Sequence, residues 1–320
     1  MNDPNQQPSP APTGPADRSA AAAPINRRPS RPVLASMASC GGEVVLERDR
    51  LRLLVRAAAT VSLTEAEFVR RVRRVGVTMW PASYHHDRAV VSRYALEATP
   101  GSGRTHHGTD LDADLALSVL RDDWAKNVQA RQQATREWRG LRKAGLLDRE
   151  VMVLRDQVVW RRMFEDAGTF NDYLRSLDVS QRTPWAWASG RVAGVLALWA
   201  IRQQGTEPAR ALQAAALELA RSAQTDVRAG RSPIDAPSTC GTVASGLAHL
   251  EISAQGDPTR ESLLLLIQIV AAMDDIAKAH RRRGELTESI AVNESTEPLA
   301  RWSRELHRRA GNGGMSDGQL

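Results

Sequence analysis

Apolar positions recur at helical spacing over most of the chain and at strand spacing in one short region. The first regular stretch, "VVLERDRLRLLVRAAATV" (44–61), reads as a helix. "SLTE" follows as a capping box, with Ser62 accepting from the amide of Glu65 while Glu65 reaches back. A second helix runs from there to a stop at Gly76. Its Phe68, Val72 and Val75 fall on one face. At about 100° per residue, Arg70 and Arg74 point the opposite way, Arg73 sits at one flank, and Arg71 lies at the other edge, one turn after Glu67. Two extended segments come next: "VTMW" (77–80), ended by Pro81, and "AVVSRYALEA" (89–98), closed by the turn residues "PGSG" (100–103). Asp110 or Asp112 is placed to cap a helix running through Leu115, Val119 and Leu120 to Trp124. The region from about 60 to 125 is therefore expected to be a small α-β-β-α module.

From Trp124 onward the helical period dominates. "AKNVQARQQATREWRGLRKAG" predicts a charged helix stopped by Gly145, and the next helix carries Val151, Leu154, Val158 and Val159 on its core stripe. Further helices are expected over residues 184–204, 208–228, 237–253 and 258–283. Beyond Gly284 the chain is polar, with a short amphipathic helix around Trp302. The first forty or so residues are rich in Pro, Ala, Ser and Arg, and hold too little apolar surface to offset the entropy of ordering. The fold class predicted is mainly α: a disordered N-terminal arm (1–42), the small α/β module (43–125), a helical bundle (126–290) and a polar tail (291–320).

Composition narrows the class without naming a function. At 42% hydrophobic and 25% charged residues the chain looks like an ordinary soluble globular protein. The net charge of +6 favours acidic partners such as nucleic acid. The two cysteines, Cys40 and Cys240, form no CxxC or Cys/His spacing, so neither a zinc site nor a disulfide framework is implied, and a reducing compartment fits. The N-terminus lacks the basic start and apolar core of a secretory signal. The longest apolar runs, 192–201 and 263–273, fall short of the roughly 20 residues a bilayer requires. They read as buried helix segments of a cytoplasmic protein with no membrane insertion.

The candidate chemistry is cationic. Arginines spaced along one helix face supply what phosphate contacts need, so Arg70, Arg73 and Arg74 are candidate nucleic-acid contacts. Arg136, Arg139, Arg142 and Lys143 in the second basic stretch are candidates too. The competing reading is a solvated outer face. The histidine pairs His85/His86 and His106/His107 are adjacent rather than alternate. On a strand each pair would offer one metal ligand at best, and solvated loops are the expected setting. Trp185, Trp187 and Trp199, with small residues between them, suit a packed core more than a pocket. Asp274 and Asp275 lie about 100° apart on a helix, poor geometry for acid–base work. No Walker loop, GxGxxG, GxSxG or HExxH occurs. No catalytic residue and no cofactor is expected.

"TEAEFVRRVRRVGVTMWPASYHHDRAVVSRYALEA" and "DLDADLALSVLRDDW" together resemble a segment of actinobacterial relaxases, the mobilisation nucleases of conjugative elements. The matching positions are Glu67, Phe68, Arg71, Gly76, Val77, Tyr94, Leu96, Asp114, Leu115, Leu117, Leu120, Arg121 and Trp124. The stretch from "WAWASGRVAGVLALWAI" to "MDDIAKAHRRRGE" is similar to the helical tail of those proteins. The family's nuclease uses a tyrosine nucleophile and a His-hydrophobe-His metal site. No His-x-His occurs in this chain, and Tyr84, Tyr94 and Tyr173, its only tyrosines, lack the expected surroundings. "GRTHHGTD" also stands where the family has a glycine-rich turn. The resemblance implies an accessory region without the nuclease, acting in plasmid or conjugative-element mobilisation by contacting DNA, a relaxase or a coupling protein. The alternative is a helical protein–protein adaptor with no nucleic-acid contact.

Overall fold

A computed structural model describes residues 47–84, 90–99, 101, 103–140, 157–203, 205–225, 233, 235–249 and 260–313. The predicted N-terminal arm, His85 and His86, and Arg142 and Lys143 lie outside the described residues. All described residues belong to one contact unit, 31–320. The architecture is mainly helical with one small antiparallel sheet. Helices α1 (Glu47–Val61) and α2 (Glu65–Arg74) precede strands β1 (Thr78–Tyr84), β2 (Val91–Glu97) and β3 (His106–His107). The short helices α3 (Gly108–Leu111) and α4 (Leu117–Leu120) lead to α5 (Val128–Trp138). The bundle follows as α6 (Gln157–Ser176), α7 (Arg182–Arg202), α8 (Glu207–Ser222), α9 (Thr239–His249), α10 (Arg260–Arg282) and α11 (Leu286–Gly313).

α2 begins two residues later than its expected box. Thr64 is the N-cap: its hydroxyl accepts from the Glu67 amide at 3.1 Å, while a Glu67 carboxylate oxygen accepts from the Leu63 amide at 3.1 Å. Ser62 instead donates to the Ala58 carbonyl at 2.6 Å, closing α1. The apolar face is as predicted, with Phe68, Val72 and Val75 buried. Phe68 sits between Tyr94, edge-on at 5.8 Å, and Trp124 at 5.0 Å. β1 and β2 pair from Thr78↔Glu97 through Tyr84↔Val91, with irregular register around Ser83. The third strand departs from the expected pattern: His106 and His107 pair with Leu96 and Ala95 on the other edge of β2 and are half-buried, not in a solvated loop.

The helix expected from Asp110 or Asp112 to Trp124 does not form as one piece. The backbone is extended at Asp112 (φ −155°, ψ 150°) and at Ala116 (φ −60°, ψ 136°), which leaves short helical turns between. The reason is electrostatic. Arg56, buried in the middle of α1, pairs with Asp112 at 2.6 Å and with both carboxylate oxygens of Asp114. Residues two apart on an α-helix point about 200° apart and could not both reach one guanidinium. Extended backbone at Asp112 brings them to the same side. Gln224, just after α8, completes the knot by donating to Asp114 at 3.0 Å and accepting from the Ala113 amide at 2.8 Å. Burial works against the charge on Arg56, but Asp114 and Asp112 outweigh it and hold its pKa above the ordinary value.

α1 belongs to module and bundle alike, packing on α2 and also on α7 and α9. Its approach to α7 depends on small residues: a Cβ at Gly194 would overlap the Thr60 hydroxyl, and one at Gly190 would lie 2.7 Å from an Asp114 oxygen. Trp185, Trp187 and Trp199 fill the core as expected, and burial pushes the Cys240 thiol up to about 12, which leaves it a packing group. The predicted stripe Val151, Leu154, Val158 and Val159 falls on residues whose side chains are not among those described. The polar tail after Gly284 is instead one long helix, α11, which buries Val292, Leu299 and Leu306 and packs on α10 and α8. Its polar composition hides a narrow apolar stripe at spacing seven.

Candidate functional site: a basic helix face and the cleft beneath it

The two arginine-rich segments of the sequence pack against each other, since α5 lies across α2. α5 starts on Asn127, whose side chain accepts from the Ala130 amide at 2.8 Å. It buries Ala130, Ala134 and Trp138, a four-residue repeat. It ends well before the predicted stop at Gly145: Gly140, at φ +71°, terminates it.

The arginines of α2 hold this contact together. Arg70 pairs with the Glu137 carboxylate of α5 at 3.0 Å. Arg73 donates to the Glu137 carbonyl at 2.8 Å and twice to the Met79 carbonyl, at 3.2 and 3.0 Å, with its guanidinium 6.0 Å from the Trp138 ring centre. Burial lowers the Arg73 pKa against the opposing pull of Glu137. Arg71 is buried against Glu67, at 3.1 and 2.8 Å, in the predicted one-turn pairing. Arg74 is half-buried on the same helix. Of the expected outward, water-facing set Arg70, Arg73 and Arg74, the placement of Arg70 and Arg73 is therefore corrected. The face opposite Phe68 is covered by α5, and Arg70 and Arg73 are engaged inside the molecule.

α5 distributes its charges the other way. Arg131, Arg136 and Arg139 are exposed, and among the described residues none of them is ion-paired. Their positions span about 140° of the helix circumference. Glu137, the helix's sole acid, faces inward to Arg70.

Beneath Arg131 opens a cleft of about 340 Å³. Its floor is Trp124, Trp138 and Ala134, with Val91 of β2 on one wall. Glu65, from the first turn of α2, is held there by Arg121 in a bidentate pair at 2.8 and 2.6 Å and by the Trp138 indole N–H at 2.7 Å. Lys126 and Arg131 stand at the mouth. No ligand-binding chemistry is legible in the sequence at these cleft residues: Glu65 reads as a capping residue, Trp124 as a helix end, and Arg121 and Trp124 as matching positions of the resemblance.

The remaining candidates do not assemble. Among the described residues no group of three or more His, Cys, Asp or Glu is placed to hold a metal ion. Tyr94 is buried, donates to the Leu115 carbonyl at 2.7 Å, and has its pKa raised by burial and by the neighbouring Asp114. Asp274 and Asp275 are paired on the surface with Lys278 and Arg175. Among the described residues no helix is long and apolar enough to cross a membrane. Compared with protein-family models, with curated proteins and with solved structures, the chain matches none.

Proposed function

We propose that this protein is a non-catalytic accessory factor that contacts a nucleic-acid backbone along the outer face of α5. The observation that carries the reading is the exposed set Arg131, Arg136 and Arg139, without ion-pair partners among the described residues, on a helix whose acid is turned inward. Phosphate contacts need cations that are already free of internal partners, with polar side chains between them. The exposed Gln129, Gln132 and Gln133 meet the second need. The resemblance to the relaxase accessory region supplies the setting, DNA mobilisation, and suggests a relaxase or coupling protein as neighbour.

Duplex DNA binding measured against salt tests this. Affinity should fall steeply as salt rises, with each lost phosphate contact reducing the log–log slope by about 0.9. The double variant Arg136→Gln, Arg139→Gln should flatten that slope, whereas Arg70→Gln should leave it unchanged. Absence of binding at low salt removes the reading.

The adaptor reading has one observation in its favour. Leu286 and Ile290 are exposed one turn apart on α11, an apolar pair suited to a protein partner. Co-purification with a relaxase that survives nuclease treatment and is lost on Ile290→Glu would favour it.

A further inference from the structure

Apart from Arg131, which it shares with the outer face of α5, the cleft under α5 lies outside the surface proposed for a DNA backbone, and its chemistry is specific. We infer that it binds a small organic anion with a flat apolar body, such as a nucleoside monophosphate or an aromatic carboxylate. Its volume of about 340 Å³ lies within the range of small-ligand sites and is far too small for a duplex. The floor is indole and methyl, a surface that favours a flat apolar body.

The charge at the mouth selects the anion. Glu65 would repel one, but both its oxygens are taken by Arg121, and one also accepts from Trp138, so its charge is locally neutralised. Lys126 is shared loosely with Asp122 at 3.3 Å, both groups being exposed. Arg131 has no ion-pair partner among the described residues. A cationic ligand would meet Arg131 and Lys126 together. A neutral one would gain the indole floor but leave both cations idle. A carboxylate or phosphate monoester at the mouth satisfies Arg131 by a charge-assisted pair while its flat portion covers the floor.

The inference does not depend on the DNA reading. Equilibrium dialysis of the full chain against adenosine 5′-monophosphate, indole-3-acetate and inorganic phosphate tests it, with tryptophan fluorescence as second readout. At least one organic probe should saturate at one equivalent per chain and shift the fluorescence, while inorganic phosphate should do neither. Preference for the nucleotide or for the carboxylate identifies the source of the anion. Arg131→Gln, at an exposed position, should weaken the bound probe by about tenfold or more. Thr135→Phe, which fills the cleft from its rim, should abolish binding in protein whose unfolding curve matches the parent. Arg136→Gln with Arg139→Gln should leave probe binding intact, whatever happens to DNA. If neither organic probe saturates below the millimolar range, or if Arg131→Gln binds as tightly as the parent, the inference is overturned.

Discussion

α2 and α5 are both short, arginine-rich helices, and they use arginine in opposite ways. α2 is covered on one side by α1 and the sheet and on the other by α5, so it has no broad wet face. Its guanidinium groups therefore reach carboxylates and carbonyls of the same molecule. α5 is the outer layer of that stack, and its exposed arginines meet no carboxylate among the described residues. Helical periodicity places a residue on a face but does not say what lies over that face. Arginine density consequently marks two different things in neighbouring parts of one chain: a clamp and an open cationic surface.

Arginine used as a clamp reaches its extreme in the interior, at Arg56. Arg56 has the character of the α2 arginines taken to full burial. Arg56→Met should leave Asp114 buried without its counter-ion and Asp112 with Arg52 alone, and cost about 3–5 kcal/mol, read from urea unfolding. A loss under about 1 kcal/mol would show that water reaches the knot and solvates the two carboxylates in place of the guanidinium. Arg73→Met comes next. It removes three bonds to carbonyls of β1 and α5, and should cost about 1.5–3 kcal/mol with no change in the salt slope of DNA binding.

What is legible in the sequence follows the same division. The apolar face of α2, the presence of the two longer strands, the tryptophan core and the bundle helices α6 to α10 can be read, because each is a local repeat; the run of β1 through Pro81 to Tyr84 and the length of α11 are not. The capping box is ambiguous because two overlapping patterns, Ser62-x-x-Glu65 and Thr64-x-x-Glu67, satisfy the same rule. The break in the helix through Asp112 is hidden because it serves Arg56, more than fifty residues upstream. A single arginine inside "LLVRAAATV", with two aspartates at spacing two elsewhere, is the available signal. The cleft is invisible because its parts come from α2, β2, α5 and the segment before α5, each unremarkable alone. The positions that carry the relaxase resemblance are mostly interior, among them Phe68, Tyr94, Leu96, Leu115 and Trp124. That pattern speaks to packing, and the surface charge that would carry a function lies outside it.

A finer test asks whether the clamp is a pairwise interaction. Arg70 and Glu137 are each partly shielded, with side-chain exposures of 21% and 12%. A double-mutant cycle on Arg70→Gln and Glu137→Gln should give a coupling of about 0.5–1 kcal/mol, more than a typical exposed pair and less than a buried one. A coupling near zero would mean that α5 is held by its buried apolar face and by the Arg73 and Trp138 hydrogen bonds, with the ion pair incidental.

The smallest expected effect is the most informative. Arg136→Gln with Arg139→Gln should change stability by no more than about 0.5 kcal/mol, because neither side chain has an ion-pair partner to lose among the described residues. If the pair proves destabilising instead, α5 is a second clamp and the contrast with α2 fails. If it proves neutral or slightly stabilising, those cations contribute nothing to the fold. Lying on one outward face with the helix's acid withdrawn beneath them, they then stay open to a polyanion, and the salt slope of DNA binding separates that role from a merely solvated face.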